Sequence, residues 1–201
     1  MKYIEEIFDN IKLEKFGRVG DSIYDPIRSF LLAATPEECV RQKTIVYLQR
    51  DLGIPINRIF VEESMAHTKK GARGRADIVV YRDDECTDVL MIIECKAPHI
   101  NVLGDEVFKQ ACGYREILNA DYIMLINGIE VIVYIYNEGK YFEVKDIPSF
   151  EELLKSKISI VETEEFEEFR YEELMSDEFK EAFAENGDIS EYTPQYIKGF
   201  A

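Results

Sequence analysis

The sequence has no apolar stretch that approaches the eighteen or so residues of a membrane-spanning helix. Its start, Met1-Lys2-Tyr3-Ile4-Glu5-Glu6, lacks the basic opening and apolar core of a secretory signal. The cytoplasm is therefore the expected location, and no membrane partner is expected. Cysteine is scarce: Cys39, Cys86, Cys95 and Cys112 show neither close paired spacing nor flanking histidine, which argues against a zinc site and a disulfide framework. Reduced, mostly buried thiols are expected instead. The two histidines, His67 and His99, stand apart and read as surface or locally hydrogen-bonded groups rather than ligands. Internal repeats and low-complexity linkers are also missing.

Basic residues are outnumbered, 24 against 40 acidic, for a net charge of −16. That balance is hostile to nucleic acid unless it is unevenly distributed. From Glu151 onward fifteen acidic and five basic residues carry −10, which leaves −6 for residues 1–150. Within that first part Lys69, Lys70, Arg73 and Arg75 fall together just before Asp77. In isolation such a Lys/Gly/Arg loop is a solvated turn; next to an acidic site it is a candidate phosphate contact.

With 201 residues, 46% of them hydrophobic, the chain can bury a substantial core. Residues 1–34 give weak signals, a helix over Met1 to Ile11 and an extended segment from Ile23 to Ala33. Thr35-Pro36-Glu37-Glu38 is a strong helix start, with Thr as cap, Pro at the first helical position and Glu three residues after the cap. The helix is predicted to run to about Leu52, burying Val40, Thr44, Tyr47 and Leu48, and to end at Gly53 and Pro55. Strands are predicted from Arg58 to Ser64, Ala76 to Arg82 and Val89 to Cys95, then a helix from Asp105 to Asn119. Further strands follow at Tyr122 to Ile126 and Glu130 to Tyr136, around an Asn127-Gly128 turn. This order predicts an α/β fold with a central mixed sheet flanked by helices. Residues 1–149 are read as one domain. Residues 150–201 are read as an acidic helical appendage carrying Phe166, Phe169, Tyr171, Leu174, Phe179 and Phe183, with more chain expected after Ala201.

The most informative feature is Ile93-Glu94-Cys95-Lys96 at the end of an apolar run, with Arg75-Ala76-Asp77 at the head of another. Side chains alternate along a strand, so Glu94 and Lys96 project together while Cys95 turns to the opposite face. If the ends of the two strands meet, Asp77 and Glu94 confront each other at a cost on the order of 1–4 kcal/mol at surface-like dielectric. A bound Mg²⁺ removes that cost, taking one or two carboxylates together with waters, phosphate oxygens and here the backbone carbonyl of Cys95. Lys96 would orient or deprotonate an attacking water and neutralise charge in the transition state. The bland alternative is a structural ion-pair network of Asp77, Glu94, Lys96 and Arg75.

Through Asp77 and Glu94-Cys95-Lys96 the sequence resembles the PD-(D/E)XK nuclease superfamily, and it looks most like the N-terminal nuclease domain of type I restriction enzyme R subunits. The similarity extends over about Asp25 to Pro148. It includes Asp25-Pro26-Ile27-Arg28, Thr35-Pro36-Glu37-Glu38-Cys39-Val40-Arg41-Gln42, the two strands around Asp77 and Glu94, Gln110-Ala111-Cys112-Gly113-Tyr114, and Asn127-Gly128. The resemblance implies a restriction-endonuclease-like core, Mg²⁺-dependent DNA cleavage with Mn²⁺ as substitute, and Asp77, Glu94 and Lys96 as the catalytic set. It also implies a helix glutamate, either Glu37, which helical phase places with Val40 and Thr44, or Glu38, which occupies the capping position. Gln110 and Tyr114, four apart on one helix face, would reach the site or a DNA phosphate. One departure is clear: the sequence has no Gly-Lys-Ser/Thr phosphate loop, so no translocase is expected in this chain.

Two functions from different classes are thus expected. The first is an endonuclease of restriction or defence type, in which Asp77→Ala or Lys96→Ala abolishes cleavage and leaves the fold intact. The second is a catalytically silent nucleic-acid-binding or regulatory module that meets a partner, such as another restriction subunit, through its acidic C-terminal region.

Overall fold

The computed structural model describes residues 2–17, 20–156 and 158–161. These belong to one compact unit, Met1–Val161. The aromatic positions expected to pattern an acidic appendage, from Phe166 to Phe183, lie outside the described residues.

Two apolar runs form the centre of the molecule. The strand Val89–Cys95 is buried at all seven positions and the strand Tyr122–Ile126 at all five, as expected for strands covered on both faces. With every element numbered in chain order, these are β7 and β8. They pair in parallel, which demands a crossover, and the helix α4, Asp105–Leu118, supplies it. Asn119 in the left-handed region, φ 52°, stops α4.

The remaining strands add antiparallel on either side. On one side are β6, Arg75–Tyr81, and β5, Ile59–Ser64; on the other is β9, Glu130–Asn137. The far edge of β9 is shared by β1, Lys2–Tyr3, and β10, Lys140–Glu143. A mixed seven-stranded sheet results, in the order β1-β9-β8-β7-β6-β5 with β10 also on β9. The hairpin strand β10 was not legible in the sequence, because its residues are half-exposed and carry no apolar run.

Each sheet face has its own core. On one face Ile78, Val80, Met91, Ile93, Tyr122 and Met124 pack against α1, Glu5–Asp9, and α2, Pro36–Arg50. On the other, Val79, Ile92, Ile123 and Leu125 pack against Val107, Ala111 and Leu118 of α4. The start of α2 follows its sequence signal: Thr35 accepts a hydrogen bond from the Glu38 amide and Pro36 is the first helical residue.

Three regions depart from the reading of the sequence. The segment before α2 is a separate three-stranded antiparallel sheet of β2, Lys15–Phe16, β3, Ser22–Asp25, and β4, Phe30–Ala33. A short helix, α3, Met65–Thr68, stands between β5 and β6, where the sequence carries no helix signal. The helix α5, Phe150–Leu154, begins with a full capping box at Ser149 and Glu152, and its Phe150 and Leu153 belong to the core. Of the four cysteines only Cys95 is buried, whereas Cys39, Cys86 and Cys112 are partly exposed and all are free thiols. Among the described residues no helix is long and apolar enough to cross a membrane.

Candidate active site

The strand pairs converge on a row of carboxylates. β6 pairs with β7 through Ile78↔Ile93, so the next position along sets Asp77 opposite Glu94. β5 pairs with β6 through Val61↔Ile78 and Glu63↔Ala76, so Glu62 lies opposite Asp77. The row therefore reads Glu62, Asp77, Glu94 across three neighbouring strands. Glu62 has φ 57°, a costly backbone for a residue with a Cβ, and it interrupts the β5–β6 ladder at this point. The ladder between β6 and β7 ends here too, and the amide of Cys95 donates to Asp77 Oδ2 at 2.8 Å.

Alternation along β7 divides its end between the two layers. Cys95 Sγ lies 3.9 Å from Thr44 Oγ1 of α2. Glu94 and Lys96 go together to the α4 side: Lys96 Nζ donates to Glu94 Oε1 at 2.5 Å and to Gln110 Oε1 at 3.3 Å. Gln110 Nε2 in turn donates to the Tyr114 hydroxyl at 3.2 Å. Gly74, φ 91°, lies against that hydroxyl so closely that a Cβ there would come within 2.5 Å of it; no larger residue fits without moving Tyr114. The chain Lys96–Gln110–Tyr114 thus connects the carboxylate row to the loop that precedes β6.

That loop carries the basic patch. Lys69, Lys70 and Arg73 are exposed and make no ion pair among the described residues. Arg75 differs, since its Nη1 lies 2.8 Å from Glu62 Oε2 and part of its charge is already neutralised. His67 is exposed beside Glu63, 3.4 Å away.

The two candidate helix glutamates have different environments. Glu38 is buried, and its carboxylate takes Arg41 Nη1 at 2.5 Å, Gln42 Nε2 at 3.0 Å and Arg28 Nη2 at 3.4 Å. Its side chain thus serves a buried polar network rather than the cap. Glu37 is half-exposed and among the described residues pairs with Arg41, at 3.4 Å. Yet its charge is felt by Asp77, Glu94 and Lys96 alike. Helical phase had placed Glu37 on the apolar face, whereas it is Glu38, Arg41 and Gln42 that turn inward.

Arg41 and Glu62 are the site residues that sequence reasoning missed. Arg41 Nη2 donates to Asp77 Oδ1 at 2.8 Å and Nη1 lies 2.8 Å from Glu62 Oε1. The only signal in the sequence was an arginine on the inward phase of α2, where a cation needs a partner.

Burial and mutual repulsion govern the electrostatics. Burial raises the Asp77 carboxyl above its ordinary value, and Arg41 with the Cys95 amide only partly reverses this. Burial and the neighbouring Asp77 charge push Glu94 up to about 7, against the pull of Lys96. Burial would lower Lys96, but its hydrogen bond to Glu94 and that group's charge outweigh it, so the ammonium is held more firmly protonated. A carboxyl that binds its proton more tightly when folded makes stability fall with rising pH. For Glu94 the loss spans the window from about 4.5, its ordinary value, to about 7. Thermal unfolding in EDTA is expected to show this decline between those pH values and to show less of it in Glu94→Gln.

Hard carboxylate oxygens that repel one another suit a divalent cation that keeps most of its waters, as Mg²⁺ does. Asp77 and Glu94 fit such an ion on chemistry. Among the described residues no group of three or more His, Cys, Asp or Glu is placed to hold a metal ion, so a cation here would take two carboxylates and otherwise backbone, water or substrate oxygens.

Comparison with known proteins gives a family. A family model described as the type I restriction enzyme R protein N terminus matches residues 36–148. No curated protein matches the chain. Among solved structures, a fragment assigned to the HsdR subunit of a type I restriction enzyme from Vibrio vulnificus YJ016 is similar, with 21% identity and a TM-score of 0.44. The match covers 55% of this chain and 23% of that one, so the chain spans about a quarter of the length of that relative.

Proposed function

We propose, on the premise that this chain belongs to the type I restriction enzyme R protein N-terminus family, that it is a Mg²⁺-dependent endonuclease of a restriction or defence system. It would hydrolyse DNA phosphodiesters on a PD-(D/E)XK, restriction-endonuclease-like core. The observation that carries the reading is the buried Asp77–Glu94 pair with the Lys96 ammonium 2.5 Å from Glu94. Two repelling carboxylates and an amine at the ends of central strands have a cost that a purely structural role does not require.

In this reading Asp77 and Glu94, with the Cys95 carbonyl, hold Mg²⁺, and Mn²⁺ can substitute. A cation held there would supply Lewis acidity toward a phosphate oxygen and a water. Lys96 donates a hydrogen bond to that water or to a phosphate oxygen and offsets the negative charge that develops there. In the metal-free protein its ammonium donates to Glu94 Oε1 at 2.5 Å, which suits it to serve as donor and counter-charge. Glu37, half-exposed beside the row, is the better helix acid, since the Glu38 carboxylate is already engaged by three donors. Lys69, Lys70 and Arg73 supply phosphate contacts, with Gln110 and Tyr114 between them and Lys96. Arg75 is a weaker candidate because of Glu62. DNA is then the substrate, and other restriction subunits are partners that could meet the acidic C-terminal region.

A second reading, a catalytically silent nucleic-acid-binding module, draws on the Arg41–Asp77 ion pair, which already neutralises one ligand. Incubation with supercoiled plasmid and linear DNA separates the two. The nuclease reading expects nicks or breaks in Mg²⁺ or Mn²⁺, none in EDTA, and none from Glu94→Gln. DNA that stays intact with either metal, while still shifted in a gel, supports the silent module.

A further inference from the structure

Arg41 is a buried cation in the carboxylate row to which the chemistry above gives no task. It is 5% exposed. Its Nη1 lies 2.5 Å from Glu38 Oε2 and 2.8 Å from Glu62 Oε1, and its Nη2 lies 2.8 Å from Asp77 Oδ1 and 3.4 Å from Glu37 Oε1. Its Nε is buried without a partner. A guanidinium placed for hydrogen bonding would use that donor too. Here both terminal nitrogens go to carboxylates and Nε is left unsatisfied, so attraction to the acidic row fixes the position of the group.

The consequence for Asp77 is direct. Oδ1 is taken by Arg41 and Oδ2 by the Cys95 amide, so a divalent cation arriving at this carboxylate meets an oxygen already shared and a resident positive charge. We infer that Arg41 is a built-in counter-cation: it holds Asp77 in the metal-free protein and sets a weak affinity for the divalent ion. It is a positioning residue, and the inference rests on the metal-binding reading above. Folding then does not wait on the metal, because Arg41 offsets part of the charge of the row from within. When the ion binds, the Arg41–Asp77 bond loosens, and Glu38 and Glu62 keep the guanidinium nearby. Like charges at short range repel strongly even when solvent screens them, so removing the guanidinium is expected to tighten ion binding by on the order of tenfold or more.

The test is calorimetric titration of the 201-residue chain with Mn²⁺, beside thermal melts in EDTA and in saturating Mn²⁺. Arg41→Met is expected to bind Mn²⁺ about tenfold tighter than wild type, to melt lower in EDTA, and to regain most of that loss in Mn²⁺. Arg41→Lys, which keeps the charge, is expected to stay close to the wild-type affinity. Arg41→Gln, neutral and still polar, takes the place of Arg41→Met if the latter does not fold in EDTA. Equal or weaker Mn²⁺ binding in a folded neutral variant overturns the inference and leaves the metal reading intact. So do Met and Gln variants that both remain unfolded in saturating Mn²⁺, since the ion should take the place of the guanidinium. Wild-type protein that shows no Mn²⁺ binding lost in Asp77→Asn overturns both.

Discussion

Lys96→Met is expected to lower Mg²⁺-dependent DNA cleavage by on the order of 10²–10³-fold, the usual loss when a donor aimed at developing charge is removed. The melting temperature should change little. The Lys96 side chain is 19% exposed, and among the described residues its Nζ bonds Glu94 and Gln110. Gln110 is exposed and can turn to water. Glu94, already pushed up to about 7 by burial and Asp77, takes up a proton when its ammonium partner is gone. A loss of activity without a loss of fold is therefore the signature of a group that works on the substrate. Lys96→Arg should restore part of the rate, since it keeps the charge but not the compact ammonium. Cleavage by purified Lys96→Met at the wild-type rate would remove Lys96 from the mechanism and with it the reading of the site.

Asp77→Ala is expected to abolish cleavage and also to destabilise the metal-free protein, by about 1–3 kcal/mol, the cost of a buried donor left without its acceptor. The sequence reading expected the fold to stay intact, and the contacts of Asp77 argue otherwise. Its Oδ1 pairs with buried Arg41 and its Oδ2 accepts from the buried Cys95 amide, so alanine leaves a guanidinium with one fewer counter-charge and an N–H without an acceptor. Asp77→Asn keeps one carbonyl oxygen for either donor, and its loss should be smaller, while cleavage and metal-dependent stabilisation vanish equally in both. Differential scanning calorimetry in EDTA separates the pair. Equal melting temperatures for Asp77→Ala and wild type would show that the Arg41 network contributes nothing to the fold.

Much of the scaffold was legible because its signals are local. Thr35-Pro36 caps a helix by side-chain chemistry that needs no tertiary partner. The unbroken apolar runs of β7 and β8 demand burial on both faces wherever they lie. Asn119, a residue at home in the left-handed region, ends α4 where predicted. The misses have the opposite character. The strands of the small sheet are two to four residues long, and β10 is half-exposed, so neither presents a period long enough to read. The inward phase of α2 was misjudged because its buried face is partly charged. Glu38, Arg41 and Gln42 are buried by one another and by Asp25 and Asp77, not by hydrophobicity.

By itself the sequence determined the central strands, the two long helices and the sharing of one face by Glu94 and Lys96, because alternation, capping and apolar runs act between neighbours along the chain. Only the tertiary structure decided that Asp77 stands between Glu62 and Glu94, that Glu38 is committed to a buried network while Glu37 borders the row, and that Arg41 occupies one oxygen of Asp77. Those facts depend on cross-strand register and on where α2 rests against the sheet, which distant contacts fix. A charge read along the chain shows that it must have a partner, but which partner it finds is settled by packing.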